Sequence, residues 1–400
     1  MGEGWSRGIR IVLLVLSGAL VLGGLYWKGR EILGSDPSYN FDVLGYVACA
    51  LALDGLDDTQ IRDRTYAAID EAAPRRVAQD LKTRERYRKQ IHEDPALFAQ
   101  QRRFYQGRIG YVAAVWLAWK AGIPLGHAPG VVSVAAWVGA VLLAFVWLAR
   151  RLPPWLLAPV VLVLALSRPL IGAASTASPD MLLGVVLLLA FALLVEIRGI
   201  AGEVAGLAVL ALAAFVRADA AMVGVGVAGV LMLLRLGREW RAWLPWTGVA
   251  AAFLGLGALV RWLFEARPWW VVLTFTTRTR RADVDALPQD VDLGVYWEIL
   301  EHSLGGRWGS TVATHVALSL VLAFGLLRLD VGGPGPLGEA RKLGGIVLGV
   351  ALTQVVRFLL FPRDWDRLVA PWLLVMELLL VTGLVVLVSR VARPGSRPVA

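Results

Sequence analysis

The stretch of residues 9–27, with the sequence IRIVLLVLSGALVLGGLYW, decides the fold class of this chain. About 20 predominantly apolar residues are the length that an α-helix needs to cross a bilayer. The run is longer than the apolar core of a typical signal peptide, and no A-x-A-like cleavage site follows it. We therefore expect a membrane helix that is retained in the protein.

Composition extends this conclusion to the whole chain. Hydrophobic residues make up 57% of the 400 residues and charged residues 18%, and the mean hydropathy is +0.63. Long uncharged runs recur along the sequence, which indicates a polytopic membrane protein. The net charge of +9 would suggest nucleic acid binding in a soluble domain. Here many arginines flank apolar runs, which favours cytoplasmic anchoring and no nucleic acid partner.

The predicted fold is an all-α bundle of about ten membrane spans of ~20 residues each. The expected spans are residues 9–27, 130–148, 155–171, 181–197, 201–216, 220–236, 245–264, 310–329, 343–361 and 368–389. Residues 109–121 are too few for a crossing, so we interpret them as an interfacial helix. This choice places both termini and the arginine-rich span ends in the cytoplasm. Cys49, the single cysteine, excludes an intrachain disulfide and argues against a cysteine-based metal site.

Two loops are expected on the outer side, at residues 28–127 and 265–309. The first is predicted to be an ordered set of short helices punctuated by Pro74 and Pro95, with residues 41–53 apolar enough to lie against the membrane. The domain prediction is a membrane module over residues 1–240, which includes the first loop, and a second module over 241–400, which includes the other.

Asp42 is the main candidate for chemistry. It lies in Asn40-Phe41-Asp42-Val43-Leu44-Gly45-Tyr46, just beyond the first span. A carboxylate at the membrane surface can accept the proton of an attacking hydroxyl group. The alternative is that Asp42 caps the helix that follows, since aspartate is favoured at N-caps.

Three further candidates lie in predicted outer turns. Asp180 is either a second carboxylate in a cavity or part of ordinary helix-start chemistry after Ser178 and Pro179. Arg217 and Asp219 interrupt an apolar stretch, so they are either a pair within a turn or part of a functional cavity. Internal pairing is also expected for three ionisable residues within apolar runs: His315, Arg357 and Glu377.

A basic and aromatic cluster precedes residues 109–121. Arg103, Tyr105 and Arg108 are candidates for binding a lipid phosphate, because the guanidinium group binds two oxygens at once. Arg363 and Arg367 form a second candidate clamp. The alternative for the first cluster is anchoring to anionic headgroups.

Common catalytic motifs give little support to other enzyme classes. D-x-D occurs three times, at residues 283–285, 290–292 and 364–366, which shows how weak that pattern is. No Walker loop and no H-E-x-x-H is present, which argues against nucleotide hydrolysis and against zinc hydrolase chemistry.

The layout resembles the GT-C superfamily of integral-membrane glycosyltransferases, which includes protein O-mannosyltransferases and lipid A aminoarabinose transferases. Asp42 followed by Tyr46 is similar to the family's aspartate and aromatic residue after the first span, although Val43 stands where many members have a second acid. Three further segments look like the family's juxtamembrane helix and outer turns: residues 104–111 (FYQGRIGY), 176–181 (TASPDM) and 215–220 (FVRADA). Arg367 before Pro371 resembles the last turn. The family's proline near Gly110 is missing.

The resemblance implies an inverting glycosyltransferase that uses a polyprenyl-phosphate-linked sugar. Asp42 would be the base, Arg103, Tyr105, Arg108 and Arg367 would bind the donor phosphate, and Tyr46, Asp180, Arg217 and Asp219 would line the substrate cavity. The acceptor would be a hydroxyl of an envelope glycan, a lipid or a protein, and whether a divalent metal ion assists stays open. We expect a bacterial plasma membrane protein whose site faces the exterior. The alternatives are a transporter or flippase for a lipid-linked glycan, or a non-catalytic membrane subunit.

Overall fold

The computed structural model describes residues 7–34, 39–197, 199–235, 240–304, 307–328, 339–362 and 366–391. Within this part of the chain every regular element is a helix. The α-helices are α1 (Arg7–Leu33), α2 (Asp42–Ala52), α3 (Asp58–Ala72), α4 (Arg75–Thr83), α5 (Arg86–Glu93), α6 (Pro95–Gln106), α7 (Ile109–Lys120), α8 (Ala128–Ala149), α9 (Pro154–Ala165), α10 (Arg168–Ala174), α11 (Asp180–Glu196), α12 (Ile200–Val216), α13 (Ala221–Leu233), α14 (Trp240–Leu263), α15 (Trp269–Thr277), α16 (Leu293–Leu304), α17 (Arg307–Arg328), α18 (Glu339–Leu360) and α19 (Asp366–Val391).

The fold is that of a helical membrane protein. Among the described residues, five helices are long and apolar enough to cross a bilayer, and they lie within α1, α8, α14, α18 and α19. The pair α9 and α10 would make a sixth span, although it is bent by 59°. Each span predicted from the sequence falls on one of these helices or on the shorter helices α11, α12, α13 and α17. The total of about ten crossings stays a prediction.

The bend between α9 and α10 has a local cause in the sequence. Pro169 lies in the first turn of α10, where its missing N–H is tolerated, and Ser167 precedes α10 with extended backbone (ψ 141°). A proline kinks or breaks the helix that comes before it, because it lacks a donor and its ring clashes with the preceding turn. The predicted span 155–171 is therefore a broken helix.

Charged residues gather at one end of the bundle. Arg150 lies 3.8 Å from Glu196, which Arg151 also contacts. Glu203 lies 3.6 Å from Arg235 and 3.5 Å from Lys342. These contacts join the ends of α8 and α11, and the ends of α12, α13 and α18. The arginine-rich ends of different helices thus meet in pairs, as expected of span ends on a common side of a membrane.

The two predicted outer loops contact each other. Gln100 Oε1, in α6, accepts a hydrogen bond of 2.8 Å from the backbone N–H of Val284. Gln101 Nε2 donates to the carbonyl oxygen of Arg281 at 3.3 Å. α6 and residues 281–284 therefore lie together, in agreement with the predicted location of the two loops on the same side.

The first loop is helical, as predicted, but α2 does not lie against the membrane. Residues 43–51 of α2 are all buried within the protein, where they pack against α3, α6 and α7. Apolar composition alone cannot distinguish a membrane-facing helix from one that other helices cover. α7 has 12 residues, a length of about 18 Å against a hydrocarbon core of about 30 Å, which agrees with its predicted interfacial position.

The close approach of α13 and α18 gives a test of the packing. A Cβ added at Gly226 of α13 would lie 2.1 Å from Thr353 Oγ1 and 2.9 Å from the carbonyl oxygen of Gly349. We expect Gly226→Val to lower the stability of the purified protein by about 1–3 kcal/mol through overpacking. The control is Gly229→Val on the same helix, where an added Cβ meets no atom within 4 Å. Equal unfolding midpoints of the two variants in detergent would contradict this packing.

Candidate active site

Asp42 is the first residue of α2, but it does not cap that helix. Phe41 occupies the N-cap position, and no side chain makes a capping hydrogen bond there. The Asp42 carboxylate instead accepts hydrogen bonds from Tyr105 Oη at 2.9 Å and from Asn40 Nδ2 at 3.3 Å. The capping alternative is therefore wrong, and the carboxylate is oriented by neutral donors from two segments.

Packing between α2 and α6 holds Tyr105 in this position. The Tyr105 ring lies directly over Gly45, where an added Cβ would come within 2.2 Å of the ring. Its other neighbour is Tyr46, which it meets edge to face at a centroid distance of 5.0 Å. Burial raises the pKa of Tyr105 well above its ordinary value, and the neighbouring Asp42 carboxylate raises it further. Tyr105 therefore stays protonated at neutral pH and remains a donor to Asp42.

Arg108 completes this cluster from the residue that precedes α7. Its Nη1 donates a hydrogen bond to Tyr46 Oη, and its guanidinium lies 5.5 Å from the centre of the Tyr105 ring. The cation is thus fixed beside two phenols, one of which is hydrogen-bonded to Asp42. A fixed guanidinium near a carboxylate can hold an anionic group at a defined distance from a base.

One large cavity, with a volume of about 1800 Å³, connects this cluster to distant parts of the chain. Its lining includes Asp42, Tyr46, Tyr105 and Arg108 from the first loop, and residues of α10, α11, α13, α14, α15 and α18. Among the described residues that line it are three aspartates and eight arginines. These are Asp42, Asp180, Asp219, Arg88, Arg108, Arg168, Arg217, Arg261, Arg267, Arg280 and Arg357. The excess of positive charge favours an anionic ligand.

A network of buried ion pairs forms part of the cavity wall. Arg217 binds Asp219 through two hydrogen bonds, of 3.1 Å from Nε and 2.6 Å from Nη2. Its Nη1 donates to Asp180 Oδ1 at 2.5 Å, and Arg357 Nε donates to Asp219 Oδ2 at 3.2 Å. The network therefore links the starts of α11 and α13 to the end of α18.

The predicted internal pairing is confirmed for Arg217 with Asp219, for Arg357, and for His315, which lies 3.5 Å from Glu377.

One of the predicted phosphate-binding residues, Arg103, is not brought to Asp42. Arg103 is exposed and lines a smaller adjoining pocket rather than the large cavity. The side chain of Arg367 lies outside the described residues, as does Arg363. By contrast, Tyr105 and Arg108 line the large cavity.

Sequence reasoning assigned no role to several residues that line the cavity. One of them is Asn40, whose Nδ2 donates a hydrogen bond to the second carboxylate oxygen of Asp42. Arg261 lies in the last turn of α14 and Arg267 just beyond it. Their positions at the end of a span resemble those of anchoring arginines, so the sequence contains no signal that separates the two roles.

The described residues do not provide a metal site of the usual kind. No group of three histidine, cysteine, aspartate or glutamate side chains is placed to hold a metal ion in this part of the chain. Asp180 and Asp219 are both paired with arginine. A carboxylate in such an ion pair is poorly suited to coordinate a metal ion. We therefore derive no chemical step through a metal ion.

Comparison with known proteins identifies no relative: no family model, no curated protein and no solved structure matches the chain.

The ion network predicts a large effect for the loss of its central cation. Arg217→Met would leave the buried carboxylate of Asp180, whose side chain is 3% exposed, without its partner. We expect a loss of about 3–5 kcal/mol in unfolding free energy, measured by denaturation in detergent. The control is Arg150→Gln, which removes a 65% exposed cation and should change stability by less than about 1 kcal/mol. Similar losses for both variants would show that the network does not hold the helices together.

Proposed function

We propose that this chain is a membrane glycosyltransferase that moves a sugar from a polyprenyl-phosphate donor to a hydroxyl acceptor outside the cytoplasm. The observation that carries the proposal is the cavity in which Asp42 faces an excess of arginine side chains. A base and several fixed cations in one chamber are what the transfer of a glycosyl group from a phosphate requires.

The apolar walls of the cavity support a lipid-linked donor. Leu254 and Trp262 of α14 line the cavity and are 60% and 74% exposed. Leu360, at the end of α18, lines the cavity as well and is 45% exposed. Exposed apolar side chains in the wall of a cavity beside a candidate membrane span suit a lipid chain. A prenyl chain could leave the cavity there while its phosphate stays among the arginines.

The proposed reaction is a single displacement at the anomeric carbon. The acceptor hydroxyl oxygen attacks this carbon while Asp42 takes the hydroxyl proton. The bond between the anomeric carbon and the phosphate oxygen breaks, and the polyprenyl phosphate leaves with the electron pair. Hydrogen bonds from Tyr105 and Asn40 orient the carboxylate for this role.

Charge develops on the leaving phosphate, so cations placed at that point lower the barrier. We assign this role to Arg108 and Arg261. Both line the cavity, and Arg108 is already oriented by Tyr46. Arg103 is not retained for this role, because it lies outside the large cavity.

A transporter for a lipid-linked glycan is the second candidate. The broken pair of α9 and α10 favours it, because interrupted helices commonly form the binding sites of transporters. Arg168, Pro169 and Gly172, near the start and middle of α10, line the cavity. A transporter would move a labelled lipid-linked sugar across a vesicle membrane without forming a glycosidic bond.

The central test replaces the proposed base. We expect Asp42→Asn to lower sugar transfer by about 10²–10⁴-fold, because an amide cannot accept the hydroxyl proton. The product is identified by comparing envelope glycolipids and glycoproteins from cells with and without the protein, by mass spectrometry. Its formation is then measured in cells that express each variant at the wild-type level.

Asp54→Asn is the matched control for this test. Asp54 follows the other end of α2, where its carboxylate binds Lys120 at 2.8 Å on the surface. Loss of the Asp54 carboxylate should leave sugar transfer unchanged. Wild-type product levels in the Asp42→Asn cells would rule out Asp42 as the base.

The position of Tyr105 can be tested without changing either hydrogen-bonding group. Gly45→Ala places a methyl group within 2.2 Å of the Tyr105 ring and should displace it from Asp42. We expect transfer to fall by about tenfold or more, as for other small misplacements of catalytic groups. Gly229→Ala, where a Cβ meets nothing within 4 Å, is the control. An unchanged transfer rate in Gly45→Ala would show that Tyr105 does not orient the base.

A further inference from the structure

A second, smaller pocket adjoins the large cavity at the end of α14. Its volume is about 610 Å³, and its lining includes Arg103, Arg261, Glu265 and Arg267. Arg261 and Arg267 line both spaces, whereas Arg103 and Glu265 line only the smaller one. The pocket thus brings three guanidinium groups together from α6, from α14 and from the residues that follow α14.

Arg267 is the unusual member of this group. Its side chain is only 8% exposed, and its Nη1 binds Asp285. Its Nε and Nη2 are also buried, and neither has a hydrogen-bond partner among the described residues. Buried donors on a charged group are costly when they remain unsatisfied. Two adjacent N–H donors on one guanidinium match two oxygens of a single anion.

The backbone around the pocket is also unusual. α14 ends with a hydrogen bond from the Ala266 N–H to the Arg261 carbonyl oxygen, and Glu265 adopts the left-handed conformation with φ 46°. Glycine is the usual residue at this position of a helix end. Here a glutamate occupies it and lines the pocket, and strained non-glycine residues are concentrated at ligand sites.

The position of the pocket, at the end of a candidate membrane span, suits a lipid headgroup. It is built from the last turn of a candidate membrane span, which ends at Leu263, and from the residues directly beyond it. Trp262, which is 74% exposed, also belongs to its lining. Tryptophan and arginine at the end of a span are typical of the membrane interface. Phosphate groups of bilayer lipids are the anions available at that depth.

We propose that this pocket binds the phosphate of a bilayer phospholipid, with Arg267 supplying two hydrogen bonds and with Arg103 and Arg261 supplying charge. The site adjoins that of the proposed glycosyl transfer and shares Arg261 with it, whereas Arg103 belongs to this pocket alone. A phospholipid there would stand beside the opening through which the prenyl chain of the donor would leave the cavity.

The test measures lipid binding to the full-length protein in detergent by native mass spectrometry and thermal stabilisation. The probes are dioctanoyl phosphatidylglycerol, dioctanoylglycerol, inorganic phosphate and a short-chain prenyl phosphate. We expect phosphatidylglycerol to bind and dioctanoylglycerol not to bind. Arg267→Gln should weaken phosphatidylglycerol binding by about tenfold or more, the loss of one charge-assisted contact. Arg150→Gln, an exposed cation elsewhere, should not change it.

A second variant covers the case in which Arg267→Gln does not fold. Arg103→Gln changes an exposed residue and should weaken phosphatidylglycerol binding by about threefold, because it removes charge from the rim of the pocket. Equal binding by the wild type and both variants would overturn the proposal, as would equal binding of dioctanoylglycerol. Tighter Arg267-dependent binding of the prenyl phosphate would assign the pocket to the donor instead. Equal Arg267-dependent stabilisation by inorganic phosphate would show that no lipid is required. None of these readouts depends on glycosyl transfer.

Discussion

Charge inside an apolar helical bundle must be paired, and this constraint organises the structure. Asp180, Arg217, Asp219 and Arg357 satisfy one another at the junction of three helices. An unpaired member would be costly in this environment. The network therefore fixes the relative positions of the helix ends that form the inner wall of the cavity. The cationic character of the cavity depends on the additional arginines beyond this network.

Asp180 and Asp219 are bound by arginine, and these ion pairs help to hold the helix ends together. A carboxylate tied to a guanidinium is a weak base, since the cation stabilises its charged form. Asp42 accepts hydrogen bonds from a phenol and an amide, which orient its carboxylate in the cavity. It is the aspartate that we propose as the base.

The sequence was sufficient to predict the positions of the apolar helices and some of the ion pairs. Length and hydropathy located the predicted spans on helices, except that residues 155–171 are divided between α9 and α10. The cost of charge at membrane depth was enough to predict the pairing of His315 and of Arg357. The burial of α2 could not be predicted, because a run of apolar residues is compatible with lipid or with protein on every side. The separation of Arg103 from Arg108 also depends on the course of α6 across the top of the bundle. Arg261 and Arg267 have the ordinary pattern of span-end anchors, so only their three-dimensional surroundings distinguish them.

The central claim is that a lipid-linked sugar binds with its anomeric carbon facing Asp42. An electron cryomicroscopy structure of the protein with an unreactive phosphonate analogue of a polyprenyl-phosphate sugar tests this most directly. The account predicts the phosphonate among the arginines of the large cavity, the prenyl chain leaving past α14, and a gap beside Asp42 that admits one hydroxyl group. An analogue bound with its sugar away from Asp42, or bound only on the outer surface of the bundle, would contradict it.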